Sequence, residues 1–338
     1  TEMEGYRPRV SDNLEPRFPD TQINIIDAGI SSTCSTTGAF RLDRDVFERG
    51  DIDLLFIEFA VNDDQDAHHS AADCIRGMEG IVRHARANHP KMDIVITFFV
   101  NESMLETLQQ GETPLTIQAH TAVAEHYEIP TIGLAREVAE RITAGELTWQ
   151  RYGGVHPAPH GNAIAAEMID ALMSQAWSSP LAADAAMQAH SMPAKPLDSH
   201  SYANGRFLDP STAKIEPGWT LKVPDWASLP GRSRERFRNI PMLCADQPAG
   251  TVSLSFQGTA VGAYVVAGPD AGILYARVDR GAWQSFDLYH QYSKGLHYPR
   301  TVMFAADLDP GAHTLELKLA RDTHSLGHAA RIIQFVAN

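Results

Sequence analysis

The sequence predicts an α/β domain built on a parallel sheet, followed by an all-β sandwich. Three observations point there. In the first half, short runs rich in Ile, Val and Phe alternate with stretches of helical periodicity, the pattern of βαβ units. After Trp177 the composition shifts to Ala, Ser and Pro over residues 178–197. Beyond that segment the periodicity becomes two, with turn signals at short intervals. A chain of 338 residues is longer than single cores usually grow, so two domains are expected. They are residues 1–177 and 198–338, with 178–197 as a linker or a strap along the surface.

In the first domain, residues 22–27 (QINIID), 53–59 (DLLFIEF) and 93–100 (DIVITFFV) have the length and apolar content of strands buried on both faces. Residues 71–87 have helical spacing, with Cys74, Met78, Ile81 and Val82 on one face and Arg76 and Arg83 off it. His89-Pro90 ends that helix. Thr113-Pro114 opens another, running to Tyr127, with proline in its first turn. Residues 131–133 read as a fourth strand and 134–144 as a helix. The last helix is 162–177, with Ile164, Met168, Ile169 and Leu172 inward. Strands separated by helices imply parallel pairing, with helices on both faces of the sheet. In the second domain the strands are 252–256, 261–266, 273–278, 286–289, 302–305, 314–319 and 331–336. Pro269-Asp270, Arg280-Gly281 and Asp309-Pro310-Gly311 supply turns between them, and such a series of short strands suggests a β-sandwich.

Composition removes several function classes. Acidic residues outnumber basic ones, 42 to 28, for a net charge of −14, which argues against nucleic acid and anionic membrane as partners. No run of about 18 apolar residues is present, so no membrane span is expected. Cys34, Cys74 and Cys244 are too few for a disulfide framework and read as small buried groups. Neither a metal nor another cofactor is expected. His68 and His69 are merely adjacent, and Ser325 and Gly327 make a ligating helix at His324 and His328 improbable. No H-E-x-x-H, C-x-x-C or glycine-rich phosphate loop occurs. Oligomeric state stays open, as does compartment, with a secreted or periplasmic setting favoured.

Open parallel sheets bind ligands beyond the carboxyl ends of their strands. Three segments with chemical potential fall at or beyond such ends, or in a loop before a helix: DAGISSTCS (27–35), AVND (60–63) and GGVHPAPHGNAI (153–164). Gly29 is expected to supply the positive φ or the close backbone approach that the turn in the first needs. In the second, the Asn62 amide is a neutral donor able to face a developing oxyanion. In the third, His156 has the chemistry of a general base.

As an ordered set, these segments resemble the SGNH (GDSL-like) hydrolase family over residues 1–177. The resemblance implies a three-layer, flavodoxin-like sheet domain and serine-type ester hydrolysis. It assigns His156 as the base and the Asn62 amide with the Ser32 backbone N–H as oxyanion donors. It places the nucleophilic serine two residues before Thr1, with the first strand ahead of it. The chain departs from the family at Ala60, where glycine is frequent, and at Gly153, where an aspartate usually holds the histidine. A backbone carbonyl near Gly153 would replace that acid, giving a Ser-His dyad, or Glu146 or Asp64 would complete a triad. The β-rich half resembles the accessory sandwich of some bacterial members. Its segments 288–292 (LYHQY) and 297–298 (HY) would line a sugar-binding surface. The expected function is removal of O-acetyl groups from an acylated carbohydrate. The alternatives are a lipid ester or thioester hydrolase and a non-catalytic carbohydrate-binding protein.

Overall fold

The computed structural model describes residues 5–179, 182 and 184–338. Thr1, the residue from which the nucleophile position is counted, lies outside them, as do positions 180, 181 and 183 of the Ala/Ser/Pro-rich segment. The chain divides into two compact units. One is Thr1–Ser35 with Leu42–Ser201, and the other is Thr36–Arg41 with Tyr202–Asn338.

The first part of the chain runs α1 (Arg7–Leu14), α2 (Ser35–Phe40), α3 (Leu42–Asp45), β1 (Leu54–Ile57), α4 (Ala60–Gln65), α5 (Ala71–Asn88), β2 (Asp93–Thr97), α6 (Glu102–Gln109), α7 (Leu115–His126), β3 (Thr131–Ile132), α8 (Leu134–Thr143), α9 (Trp149–Tyr152) and α10 (Pro159–Ala176). The three strands form a parallel sheet in the order β1-β2-β3, with Leu54 opposite Asp93 and Ile96 opposite Thr131. Helices pack in two sets, α3, α4, α5 and α7 in one and α1, α6, α8, α9 and α10 in the other, as a sheet covered on both faces requires. Helix α5 starts where the sequence predicts because Ser70 and Asp73 make a reciprocal capping box. Its buried positions include Cys74, Met78, Ile81 and Val82.

Residues 22–27 correct an expectation, since they form no strand. Ile25 is 44% exposed, and Asp27 is held by Arg7 and by the N–H of Gly29. Apolar content alone had suggested a buried strand, but these side chains are not taken inside.

The segment after α10 behaves as a strap on the first unit. The polar face of α5 grips it: Arg86 donates to the Ser191 carbonyl at 2.7 Å and Arg83 to that of Pro193 at 3.3 Å. Glu79 accepts the N–H groups of Leu197 and Asp198 at 2.6 and 2.8 Å, and Arg76 pairs with Asp198 at 2.7 Å. These four α5 residues recur at three- and four-residue spacing, which puts them on one helical face.

The second unit holds β4 (Arg206–Leu208), β5 (Lys214–Ile215), β6 (Thr220–Lys222), β7 (Met242–Ala245), β8 (Val252–Gly258), β9 (Val261–Ala267), β10 (Ile273–Val278), β11 (Gln284–Asp287), β12 (Tyr298–Ala305), β13 (Gly311–Leu319) and β14 (Ala330–Ala337). They make two antiparallel sheets, ordered β11-β10-β13-β8-β5 and β12-β9-β14-β7-β6, with β4 also on β14. Leu254, Leu274, Leu315 and Leu317 from the first sheet and Val261, Val265, Ile332 and Phe335 from the second share one core. No helix among the described residues is long and apolar enough to cross a membrane.

Candidate active site

The Ser32 segment is a turn between residue 30 and α2. Thr33 Oγ1 donates to the Ile30 carbonyl at 2.7 Å, which closes it. Ser32 itself has φ 72°, so the left-handed residue of the turn is Ser32 and not Gly29, whose φ is not positive. Gly29 instead donates its N–H to Asp27 Oδ1 at 2.9 Å in an Asx-type bend, which asks for no left-handed backbone. A serine at positive φ is strained by its Cβ.

Asn62 sits in the first turn of α4, directly beyond β1. Glu58 caps that turn, accepting the Val61 N–H at 3.3 Å. Burial pushes the Glu58 carboxyl up to about 7, partly opposed by the Val61 bond. The Asn62 amide donates one hydrogen to Asp66, a turn further along. A side-chain amide carries two, so one remains for a ligand.

Asp63, the next residue, is wholly buried and joins the two segments. Its Oδ1 accepts the Ser35 N–H at 2.7 Å, and its Oδ2 lies 3.0 Å from His120 Nε2. His69 Nδ1 lies 3.5 Å from Oδ1. Burial pushes this carboxyl up, but the His120 bond and the nearby His69 ring outweigh it and hold it well below the usual carboxylate range. The turn bearing Ser32 and the helix bearing Asn62 are therefore fixed to one anchor.

His156 lies in the loop between α9 and α10. Its ring is exposed and makes no hydrogen bond or ion pair among the described residues. No bond joins it to Asn62, to a carbonyl near Gly153 or to either candidate carboxylate. Asp64 is spent on Asn101 and Ser103, at 2.8 and 3.1 Å. Glu146 lines a surface depression with Glu137, Glu140 and Arg141. Gly153 caps α9 in the left-handed region at φ 111°. A Cβ there would lie 2.0 Å from the Ala158 nitrogen, so the family's aspartate does not fit this loop. The Ala158 N–H bonds back to the Tyr152 carbonyl at 2.8 Å, and Asn162 holds the Pro157 carbonyl at 2.7 Å. These contacts shape the loop without touching the imidazole.

Sequence spacing offers no metal motif, yet folding gathers Cys34, Asp63 and His69, and also Asp63, Cys74 and His120, into groups whose ligand atoms lie within 4.8 Å of one another. The members come from four separate stretches of chain, which no local pattern reveals. In the second unit, the aromatic segments form a stack. His290 and Tyr298 lie 4.8 Å apart at 15°, and Tyr292 and Tyr298 5.7 Å apart at 26°. Tyr292 is 42% exposed, whereas His297 is buried and hydrogen-bonded to the Pro230 carbonyl at 3.0 Å.

Among known proteins, the GDSL-like Lipase/Acylhydrolase family model matches residues 1–164. Two crystal structures of a two-domain esterase active on acetylated mannans share the fold across both units. One, co-crystallized with mannopentaose, has a TM-score of 0.77 at 18% identity, covering 98% of this chain and 84% of that one. The other has the same TM-score and identity, covering 98% and 85%. No curated protein matches the chain significantly. Residues 1–164 of this chain are therefore similar to the GDSL-like Lipase/Acylhydrolase family.

Proposed function

We propose that the chain is a serine-type carbohydrate esterase that releases O-acetyl groups. The observation that carries this reading is the Ser35–Asp63 bond, which secures a backbone donor at Ser32 and a side-chain donor at Asn62 to one buried carboxylate. Preorganised donors of that kind stabilise charge that develops on a carbonyl oxygen without reorganising during the reaction. The two-domain likeness to an esterase active on acetylated mannans supports acetyl as the acyl group and a polysaccharide as its carrier. The exposed Tyr292 edge of the aromatic stack supports a sugar contact on the second unit, since rings pack against the apolar faces of sugars.

In this mechanism the nucleophilic serine that the family resemblance implies attacks the acetyl carbonyl. His156 takes its proton, and Ser32 N–H with the free Asn62 amide hydrogen hold the oxyanion. His156 then protonates the leaving sugar oxygen, and water hydrolyses the acetyl-serine. With Gly153 unable to carry an acid, His156 works as one half of a Ser-His dyad.

The test is acetate release from acetylated mannan and from p-nitrophenyl acetate by the native-length protein. Asn62→Ala is expected to lower turnover about 10²–10³-fold, and His156→Ala to bring it near background. Equal rates for wild type and His156→Ala would remove the histidine from the mechanism. Faster cleavage of long-chain than acetyl esters would favour a lipid esterase. Mannan binding without turnover would favour a binding protein.

A further inference from the structure

The fold gathers four metal-capable side chains, Cys34, His69, Cys74 and His120, around Asp63, and none of these four takes part in the proposed ester chemistry. Cys34 comes from the segment before α2, Asp63 from α4, His69 from the loop after it, Cys74 from the first turn of α5, and His120 from α7. Asp63 is 0% exposed, as are Cys74 and His120, and Cys34 is 8% exposed. Only His69 is part-exposed, with 15% of its side chain reaching solvent. Within this cluster, Ser35 Oγ, His69 Nδ1 and His120 Nδ1 are buried and make no hydrogen bond among the described residues. Buried polar atoms without partners are uncommon in folded proteins and ask for an explanation.

We propose that Cys34 Sγ, a ring nitrogen of His69 and an Asp63 carboxylate oxygen form a binding site for one divalent cation of the zinc class. The three ligand atoms already lie within 4.8 Å of one another. One sulfur, one nitrogen and one oxygen suit a borderline-soft ion of low coordination number, not magnesium or calcium, which take oxygen. The charges also balance. A dication with one thiolate, one carboxylate and a neutral imidazole is neutral, so burial does not strand a net charge. Loading releases the thiol proton, and any proton on the His69 ligating nitrogen, to solvent, and no electron moves. Ser35 N–H bonds Asp63 Oδ1 and His120 Nε2 lies on Oδ2, outer-shell contacts of the kind that orient a ligating carboxylate.

The other group, Asp63, Cys74 and His120, is the weaker candidate. All three residues are fully buried, and His120 Nε2 already faces Asp63 Oδ2 at 3.0 Å. The part-exposed His69 gives the first group its route to solvent. His69 also donates its backbone N–H to the Asp63 carbonyl at 2.9 Å, so a bound ion would tighten the turn that follows α4. The site shares Asp63 with the esterase reading, in which that carboxylate anchors the Ser35 segment to α4, but cobalt binding is read without any turnover.

The experiment is titration of the full-length, metal-stripped chain with Co²⁺, read by absorption and by metal content. The expected result is one Co²⁺ per chain, with tetrahedral visible bands and a thiolate-to-cobalt charge-transfer band, all displaced by Zn²⁺. Cys34→Ser should abolish the charge-transfer band and Cys74→Ser should keep it. His120→Gln should weaken binding about 10–100-fold, the usual effect of an outer-shell loss. No retained cobalt in the wild type, or cobalt without a charge-transfer band, overturns the proposal whatever the variants do. Survival of the band in a folded Cys34→Ser protein overturns the ligand assignment.

Discussion

The Ser35 N–H donates to Asp63 Oδ1 at 2.7 Å across 28 residues of sequence, and the acceptor is wholly buried. A buried carboxylate is tolerable only while its lone pairs are taken, and here Ser35 and His120 take them. Asp63→Ala would leave both donors facing an apolar gap. The expected loss is about 3–5 kcal/mol in the first unit, the range for breaking a buried charged pair from one side. Chemical denaturation followed by the first unit's tryptophans, Trp149 and Trp177, measures it. A melt indistinguishable from wild type would mean the carboxylate is not the anchor described.

Ser32 carries a strained backbone at φ 72°. Glycine has no Cβ to clash there and keeps the backbone N–H proposed as an oxyanion donor. Ser32→Gly is therefore expected to raise stability by about 0.5–1 kcal/mol, since relief of about 1–2 kcal/mol of strain is partly offset by unfolded-state entropy. Esterase kcat/KM should stay within a factor of two or so. Ser32→Val, with a branched Cβ, should lower both. Thermal melting and acetate release on the same preparations test the pair, and a stable, active valine variant would contradict the left-handed assignment.

Gly153 tests whether the family's missing acid can be put back. Its φ of 111° and the 2.0 Å approach of a virtual Cβ to the Ala158 nitrogen leave no room for a side chain. Gly153→Asp should therefore lower both stability and turnover, even though it restores the family residue. The expected change is a loss of about 1–3 kcal/mol from strain and overpacking. A variant faster than wild type would show that the loop re-forms around the acid.

Much of this architecture was legible in the sequence because periodicity reports burial. The strand expectations from 252 to 336 correspond to β8–β14, where alternating or fully buried side chains make the pattern strong. Helix α5 was legible from its apolar stripe and from His89-Pro90 beyond it. Strands β4–β7 were missed: β6 is exposed throughout, β5 spans two residues, and β7 is a short wholly buried run with no alternation. Residues 22–27 looked like a strand because composition does not say whether a pairing partner is in reach. The cluster around Asp63 left no local trace, since its members meet only after the parallel sheet and its helices are in place. Gly29 drew attention as the obvious residue for a positive φ, but the turn placed that conformation on Ser32.

Glu58 sets a pH dependence whose sign follows from its environment. Burial, the largest influence, raises its carboxyl from 4.5 to about 7 in the folded chain. A raised carboxyl pKa means that the folded state holds the proton more tightly than the unfolded state does. Its contribution to stability is fully present below about 4.5 and is lost as the pH rises through about 7. Glu58→Gln keeps an oxygen to accept the Val61 N–H but cannot ionise. The variant should therefore match wild type near pH 4.5 and gain on it steadily up to about pH 8, by at most about 3 kcal/mol. Denaturation midpoints of both proteins across that range measure the gap. Parallel curves would show that water reaches the carboxyl freely, and a gap that opens towards acid would reverse the sign argued here.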